Sequence, residues 1–535
     1  MTSFTAVVSG EMSITALGPI REAAERMLGR LWIDEIPVRL ASEDPRLWPS
    51  STAAGAEVRA LCWPGQPGPA RAVLGRLREL REEALADGLT EVVLLGRGPT
   101  TRAAGLLARC RPDGDEPAAD ALTVLDGPEP AALLRASGDP DRLRRALVVV
   151  TGNDQATDTL RRAFVQQLLD AGLTEAEIAR RFVVVTEPGG VPAKRAAEAG
   201  HALIEAPEAT AFGALSPYAV VPAALAGADV ATLLERAAAV LPSLTRPENN
   251  PGLVLGAILG GAARAGRATV VLGGYPASVP GLADWVAPLL ADATRGRVLP
   301  IVQRGGMTLM PADDVFLVTL DGRPNQDDAT ASGPLPDQLV VWEYAAAVAA
   351  HLLGADPLDP AARLPETPLP DTGEAPAFAD PGGVDVHTAD ARFAAAPDLD
   401  ALVESVVARA SEDGHLAIVA HLDPDEALGE GARVRRLAAL LAARCARPVT
   451  ITWGCRYPAI GNDHRERGVY LMLTGNAVHD VPVPGRFHHL GALQLAQALG
   501  ETRAAERAGR PVVRLHLQDR WAGLARLLES ARGEA

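Results

Sequence analysis

The chain has 535 residues, too many for one ordinary hydrophobic core, so two large units or three smaller ones are expected. Hydrophobic residues make up 48% and charged residues 22%, an ordinary globular balance, and with aromatics at 4% the core must be built from Ala, Val and Leu. A formal net charge of −16 works against binding to nucleic acid or to anionic lipid, so an anionic small molecule would need a local nest of amides, hydroxyls or an arginine.

The opening, MTSFTAVVSGEMSITALG, has no basic start and no long apolar run, and no stretch approaches the roughly 20 apolar residues of a membrane span. A cytoplasmic protein is expected. Cys62, Cys110, Cys445 and Cys455 show no CxxC spacing and no zinc-type histidine spacing, so incidental thiols and no metal site are expected.

Residues 1–49 read as an N-terminal segment, with an amphipathic helix beginning near residue 10 and an irregular polar stretch after it. A helix follows over 68–87. Glu91–Leu95 is a buried strand running into Gly96-Arg97-Gly98 and a helix, and Ala121–Leu125 is a short strand. Ala146–Val150 is another, followed by the turn Thr151-Gly152-Asn153-Asp154 and a helix from about 157 to 171; Phe182–Thr186 repeats the pattern. Continuous apolar strands alternating with helices predict a parallel, doubly wound sheet with helices on both faces, a three-layer α-β-α sandwich. Arg246-Pro-Glu-Asn-Asn-Pro-Gly252 punctuates the chain, and the cycle restarts with a helix at 253–265, strands at 268–272, 298–302 and 314–320, and a long helix at 335–353. Residues 355–395, rich in Pro, Ala and Asp, read as a surface excursion. Strands at 415–420, 449–453 and 512–517 complete the pattern. Two doubly wound units are expected, 50–245 and 246–535.

The spelling of several segments resembles the phosphoglucose isomerase family, built from two sugar-isomerase (SIS) domains. Val221-Pro-Ala-Ala-Leu-Ala-Gly-Ala-Asp229 is similar to the family's "PAALAGVD" helix, and Asn250-Pro-Gly-Leu-Val-Leu-Gly256 to the opening of its second half. Leu339-Val-Val-Trp-Glu-Tyr-Ala345, Trp453-Gly454, Leu473-Thr-Gly475, Val481-Pro-Val-Pro-Gly485 and Arg514-Leu-His-Leu517 with Asp519-Arg520 resemble the isomerase half of bacterial transaldolase–phosphoglucose isomerase fusions. Together they cover most of residues 90–525 in the right order. The resemblance implies interconversion of glucose 6-phosphate and fructose 6-phosphate through an enediol in glycolysis and gluconeogenesis, with no cofactor and a hexose 6-phosphate as ligand. Pairing into a homodimer, as in that family, stays open.

Such an isomerase needs a phosphate cradle, a carboxylate that shuttles a proton, a cation for the oxyanion, and an acid/base that opens the ring. The resemblance places the cradle at Thr151, Gly152 and Asn153, with Thr157 on the following helix, and at the earlier turn Gly96, Gly98, Thr100 and Thr101. Asp154 stands where the family has a hydroxyl and would repel a dianion; the other reading is that Asp154 or Asp158 caps the helix. A tight turn is an equal reading of the GxG at 96–98. The family's arginine falls on Ala211. The base falls on Asp292, one methylene shorter than the family's glutamate, and the ring-opening end on His464 and Arg465, with Ala459 in place of the first histidine. Surface roles are the alternative for Asp292 and His464, and Glu343 reads as meeting a structural hydrogen bond. Scaffold segments thus persist while four catalytic segments depart. Three functions follow: an isomerase of impaired activity, a non-catalytic relative that binds a sugar phosphate or a protein partner, or an SIS isomerase for another phosphosugar.

Overall fold

The computed structural model describes residues 4–9, 11–48, 67–110, 122–152, 154–207, 212–273, 279–303, 312–321, 328–358, 375–454 and 468–533. The strands, in chain order, are β1 (Phe4–Ser9), β2 (Met12–Ala16), β3 (Glu91–Leu95), β4 (Leu122–Leu125), β5 (Ala146–Thr151), β6 (Phe182–Thr186) and β7 (Ala202–Glu205). There follow β8 (Thr269–Gly273), β9 (Leu299–Val302), β10 (Val315–Leu320) and β11 (Ala329–Ser332). The last group is β12 (Phe378–Asp380), β13 (Val384–His387), β14 (Leu416–Ala420), β15 (Val449–Trp453), β16 (Val469–Gly475) and β17 (Val512–Leu517).

These strands form three sheets among the described residues. The first, in the order β4-β3-β5-β6-β7, is parallel throughout. Its central strands, VVLL and ALVVVT, are buried, as a sheet covered by helices on both faces requires. The second runs β1-β2-β11-β10-β8-β9 and the third β12-β13-β17-β16-β14-β15. Each has a parallel core with an antiparallel edge pair, β1–β2 on one and β12–β13 on the other. The α/β class with parallel sheets and flanking helices is therefore the one the chain adopts. The stretch 246–535, expected as one layer, supplies strands to two sheets.

Two segments differ from their sequence reading. The N-terminal helix begins at Gly18, and the residues before it pair as the hairpin β1–β2. Met12, Ile14 and Ala16 are fully buried at a spacing of two, the period of a strand face, and this outweighs the helical spacing that follows. Within 355–395, the described residues 375–395 carry β12, β13 and the buried Phe393, so this part joins the third sheet's edge.

The long helix Leu335–Leu353 is almost wholly buried and packs along the helix Pro251–Arg264. Gly252, Gly256 and Gly260 form a ridge there. A Cβ on them would press on Tyr344, Val348 and Leu352 at 2.6, 2.5 and 2.7 Å, so the two backbones approach closely only because these positions lack side chains. One core runs continuously under the first and second sheets; the third sheet has its own and meets the first through Val481, Val483 and Leu490.

Candidate functional site

In the first sheet the chain passes from β3 to β4 on one side and returns to β5 on the other. The strand order reverses between β3 and β5, and their carboxyl ends open a crevice of the kind that holds ligands in doubly wound sheets. Seven of the eight expected phosphate-binding residues lie around this point. A Cβ on Gly96 would clash with Thr151 Oγ1, stand 2.9 Å from the Thr151 carbonyl oxygen and 3.1 Å from Thr101 Oγ1, so only glycine lets β3 leave the sheet against those hydroxyls. Thr151 Oγ1 donates to the Leu95 carbonyl at 3.4 Å, while Thr101 Oγ1 is buried with no hydrogen-bond partner among the described residues. Gly152 turns the chain at φ +105°, and a Cβ there would lie 3.9 Å from the buried Thr157 hydroxyl. Gly98, at φ +92°, leads into the helix Pro99–Leu107, in which Thr100 is also buried. Asn153 lies outside the described residues.

The helix Gln155–Asp170 starts at this crevice, and its free amides and dipole would favour an anion. They are already engaged. Asp154 accepts from Ala156 N at 3.0 Å, from Thr157 N at 3.1 Å and from Thr157 Oγ1 at 2.6 Å. Arg97 reaches the same carboxylate at 3.5 Å. Of the two readings of Asp154, the cap is the one observed. Further along, Asp158 pairs with Arg161, Arg162 and Arg195 at 2.9, 2.8 and 3.0 Å, so three guanidinium groups share one carboxylate beside the crevice. Burial opposes the charge of Asp158, but Arg162 and Arg161 outweigh it and hold the carboxyl below its usual range. His201 lines the same groove, and burial, helped by Arg161, pushes it down to about 4.

Asp292 sits in the last turn of the helix Leu282–Ala293, which packs against the helix that begins at Pro99. Part of the residue reaches the surface, yet Oδ1 is enclosed and has no partner among the described residues. Burial pushes this carboxyl up to about 7, against a smaller opposing pull from Arg295. Glu343, buried on the long helix, accepts from Ala214 N at 2.8 Å, the structural hydrogen bond expected of it, and burial pushes it up to about 8. Its partner lies just past residues 209–211; those three residues, with Ala459, His464 and Arg465, are outside the described set. Cys110 and Cys445 are free thiols, and burial raises Cys110 to about 11, the value of an inert side chain. Among the described residues no cluster of three His, Cys, Asp or Glu side chains could hold a metal ion. Nor is any helix there long and apolar enough to cross a membrane.

Sequence reasoning missed a polar network between the first and third sheets. Arg520, 3% exposed, donates to Glu129 Oε1 at 2.9 Å and to Gln494 Oε1 at 3.2 Å, and Gln494 Nε2 donates to Glu129 Oε2 at 2.6 Å. Arg135 holds Asp423 through both terminal guanidinium nitrogens, Nη2 at 2.7 Å. The loop after β4 and the helix Pro130–Ser137 that follows it are thus bound to the segments that follow β14 and β17. The signal lay in the apolar run 416–420, which breaks abruptly into His421 and Asp423, and in the strand 512–517, which leads to Arg520.

Neither a protein-family model nor a curated protein matches the chain. Among solved structures, a glucose-6-phosphate isomerase from Chlamydia trachomatis aligns with 14% identity over 66% of this chain and 86% of its own, at TM-score 0.50. A hypothetical protein from Thermus thermophilus aligns with 16% identity over 96% of this chain and 92% of its own, at TM-score 0.41. A Silicibacter pomeroyi chain provisionally described as a phosphosugar isomerase aligns with 14% identity over 60% of this chain and 99% of its own, at TM-score 0.33. The Chlamydia structure shows a shared fold, that of the SIS-type sugar isomerases.

Proposed function

We propose that this chain is a sugar-phosphate-binding protein of the sugar-isomerase fold in which glucose 6-phosphate isomerisation is weak or lost. One observation carries the reading: the Asp154 carboxylate occupies the helix N-terminus that a substrate phosphate would need. A dianion entering there must displace a charge of its own sign. The Gly96, Thr101 and Thr151 surface supports retained binding, because its buried Thr101 hydroxyl lacks a partner among the described residues. The sequence adds Ala211 in the place where the family's arginine would steady the enediolate. Losing one preorganised oxyanion donor costs about 3–4 kcal/mol, or two to three orders of magnitude in rate.

A second reading, a working isomerase with Asp292 as its base, is favoured by that residue's raised value of about 7, suited to proton transfer at neutral pH. One assay separates them. The purified full chain, given fructose 6-phosphate with glucose 6-phosphate formation coupled to a dehydrogenase, should turn over far below about 10 per second. A rate above that, abolished by Asp292→Asn, would establish the second reading instead.

A further inference from the structure

The third sheet repeats the crevice of the first. Its parallel strands run β15-β14-β16-β17, the order of β4-β3-β5-β6, so its reversal point lies between β14 and β16. His421 stands there, directly after β14, 1% exposed and fixed by its backbone N–H donating to the Leu473 carbonyl at 2.8 Å. Its Nε2 lies 3.0 Å from Glu501 Oε2, and both side chains are buried. With Glu501 accepting, Nε2 carries the hydrogen of this pair, and Nδ1 is the ring atom left to meet a ligand. That nitrogen is buried with no hydrogen-bond partner among the described residues. Leaving such a group unpaired is costly, and it is tolerated where a ligand or water completes it.

The ring is not sealed in apolar core. His421 lines a small cleft open to solvent, with Arg97, Glu129, Trp453, Gly454 and Gln497 among the other walls. Gly454 has φ +61°, and a Cβ there would stand 3.9 Å from Nδ1, over the face that now looks into the cleft.

We propose that this cleft binds a neutral polyhydroxylated small molecule, a sugar or a cyclic polyol, one hydroxyl of which donates to His421 Nδ1. Hydroxyl groups need both donors and acceptors, and the walls offer the imidazole nitrogen as acceptor, the Gln497 amide as both, and the Arg97 guanidinium as donor. The half-buried Trp453 adds an apolar face for ring C–H groups. The charged groups around the cleft are already engaged: Glu129 meets Arg520, Asp126 meets Arg102, Asp423 meets Arg135, and Arg97 meets Asp154. Walls of this kind suit a neutral ligand. Glu501 is a positioning residue that fixes the ring and its tautomer. The inference does not rest on the reading of the Gly96–Asp154 turn as a phosphate site.

The test uses the full chain labelled with 15N-histidine. The Nδ1 resonance of His421 is assigned from its loss in His421→Gln, or, should that variant not fold, from its displacement in Glu501→Gln. Titration with D-glucose, D-fructose and myo-inositol should give a saturable shift with at least one of them, and inorganic phosphate should give none. Gln497→Ala, at a half-buried position, should weaken that binding at least threefold. No saturable shift with any of the three, or an equal shift with phosphate, overturns the proposal.

Discussion

Gly96 after β3 and His421 after β14 occupy the same place in two sheets of the same strand order, and they build opposite kinds of crevice. At Gly96 the wall is backbone and threonine hydroxyl, chemistry suited to an anion, and the chain has filled the helix N-terminus beside it with Asp154. At His421 the wall is a buried imidazole held by Glu501, with its second nitrogen open. Topology gives both sheets a crevice; the first side chain beyond the strand decides what that crevice can hold. Glu129 and Arg520 bind the two regions together, so each can be perturbed and read against the other.

The largest expected effect comes from breaking that link. Arg520→Ala leaves Glu129 buried without its cation and should cost about 3–5 kcal/mol in chemical denaturation, the usual penalty for removing one partner of a buried ion pair. If the two regions are independent, the loss will instead fall under about 1 kcal/mol, as for an exposed pair.

Asp292 tests whether the helix packed beside the first crevice carries the strain of an active site. Its folded value of about 7 exceeds the ordinary 3.8, so between those pH values the folded chain keeps a proton that the unfolded chain releases. Stability from this group therefore falls as pH rises through that window, and above it the cost is constant at roughly 4 kcal/mol. Asp292→Asn should be more stable than the parent chain near pH 8 and indistinguishable near pH 4. Equal melting temperatures at both would mean that the carboxylate is solvated.

A smaller effect tests the Gly96 wall. Gly96→Ala drives a methyl group into Thr151 and should cost about 1–3 kcal/mol in chemical denaturation, the range for overpacking.

Much of this architecture was legible in the sequence, and the failures have physical causes. The strands at 146, 182 and 416 are apolar runs buried on both faces, and such runs announce themselves; those at 91, 269, 299, 315, 449 and 512 are rich enough in Val, Ile and Leu to be read with them. Pairing partners far away in sequence do not. The hairpin β1–β2 and the short β11, with the sequence ATAS, become strands only because β2 and β11 lie against each other across more than half the chain. The crevice at Gly96 was readable from its glycines and hydroxyls. That of His421 was not, because its two halves, His421 and Glu501, come from separate elements that only the fold unites.

The smallest effect decides most about the first crevice. Asp154 accepts from two backbone amides and from Thr157 Oγ1, so Asp154→Thr keeps a capping hydroxyl and should lower stability by no more than about 1 kcal/mol. The same change removes a negative charge from the place where a phosphate would sit, and releases Arg97, 3.5 Å away, from this contact. If the carboxylate is what keeps the anion out, calorimetric titration with glucose 6-phosphate should show affinity rising about tenfold, equivalent to roughly 1.4 kcal/mol. The gain should shrink with added salt, since its origin is a charge near the surface. Asp154→Asn sharpens the point, because it keeps the cap's geometry while dropping the charge: it should match Asp154→Thr in affinity. An unchanged affinity in both variants would mean that Asp154 is only a helix cap, and that the Gly96 crevice takes no phosphate at all.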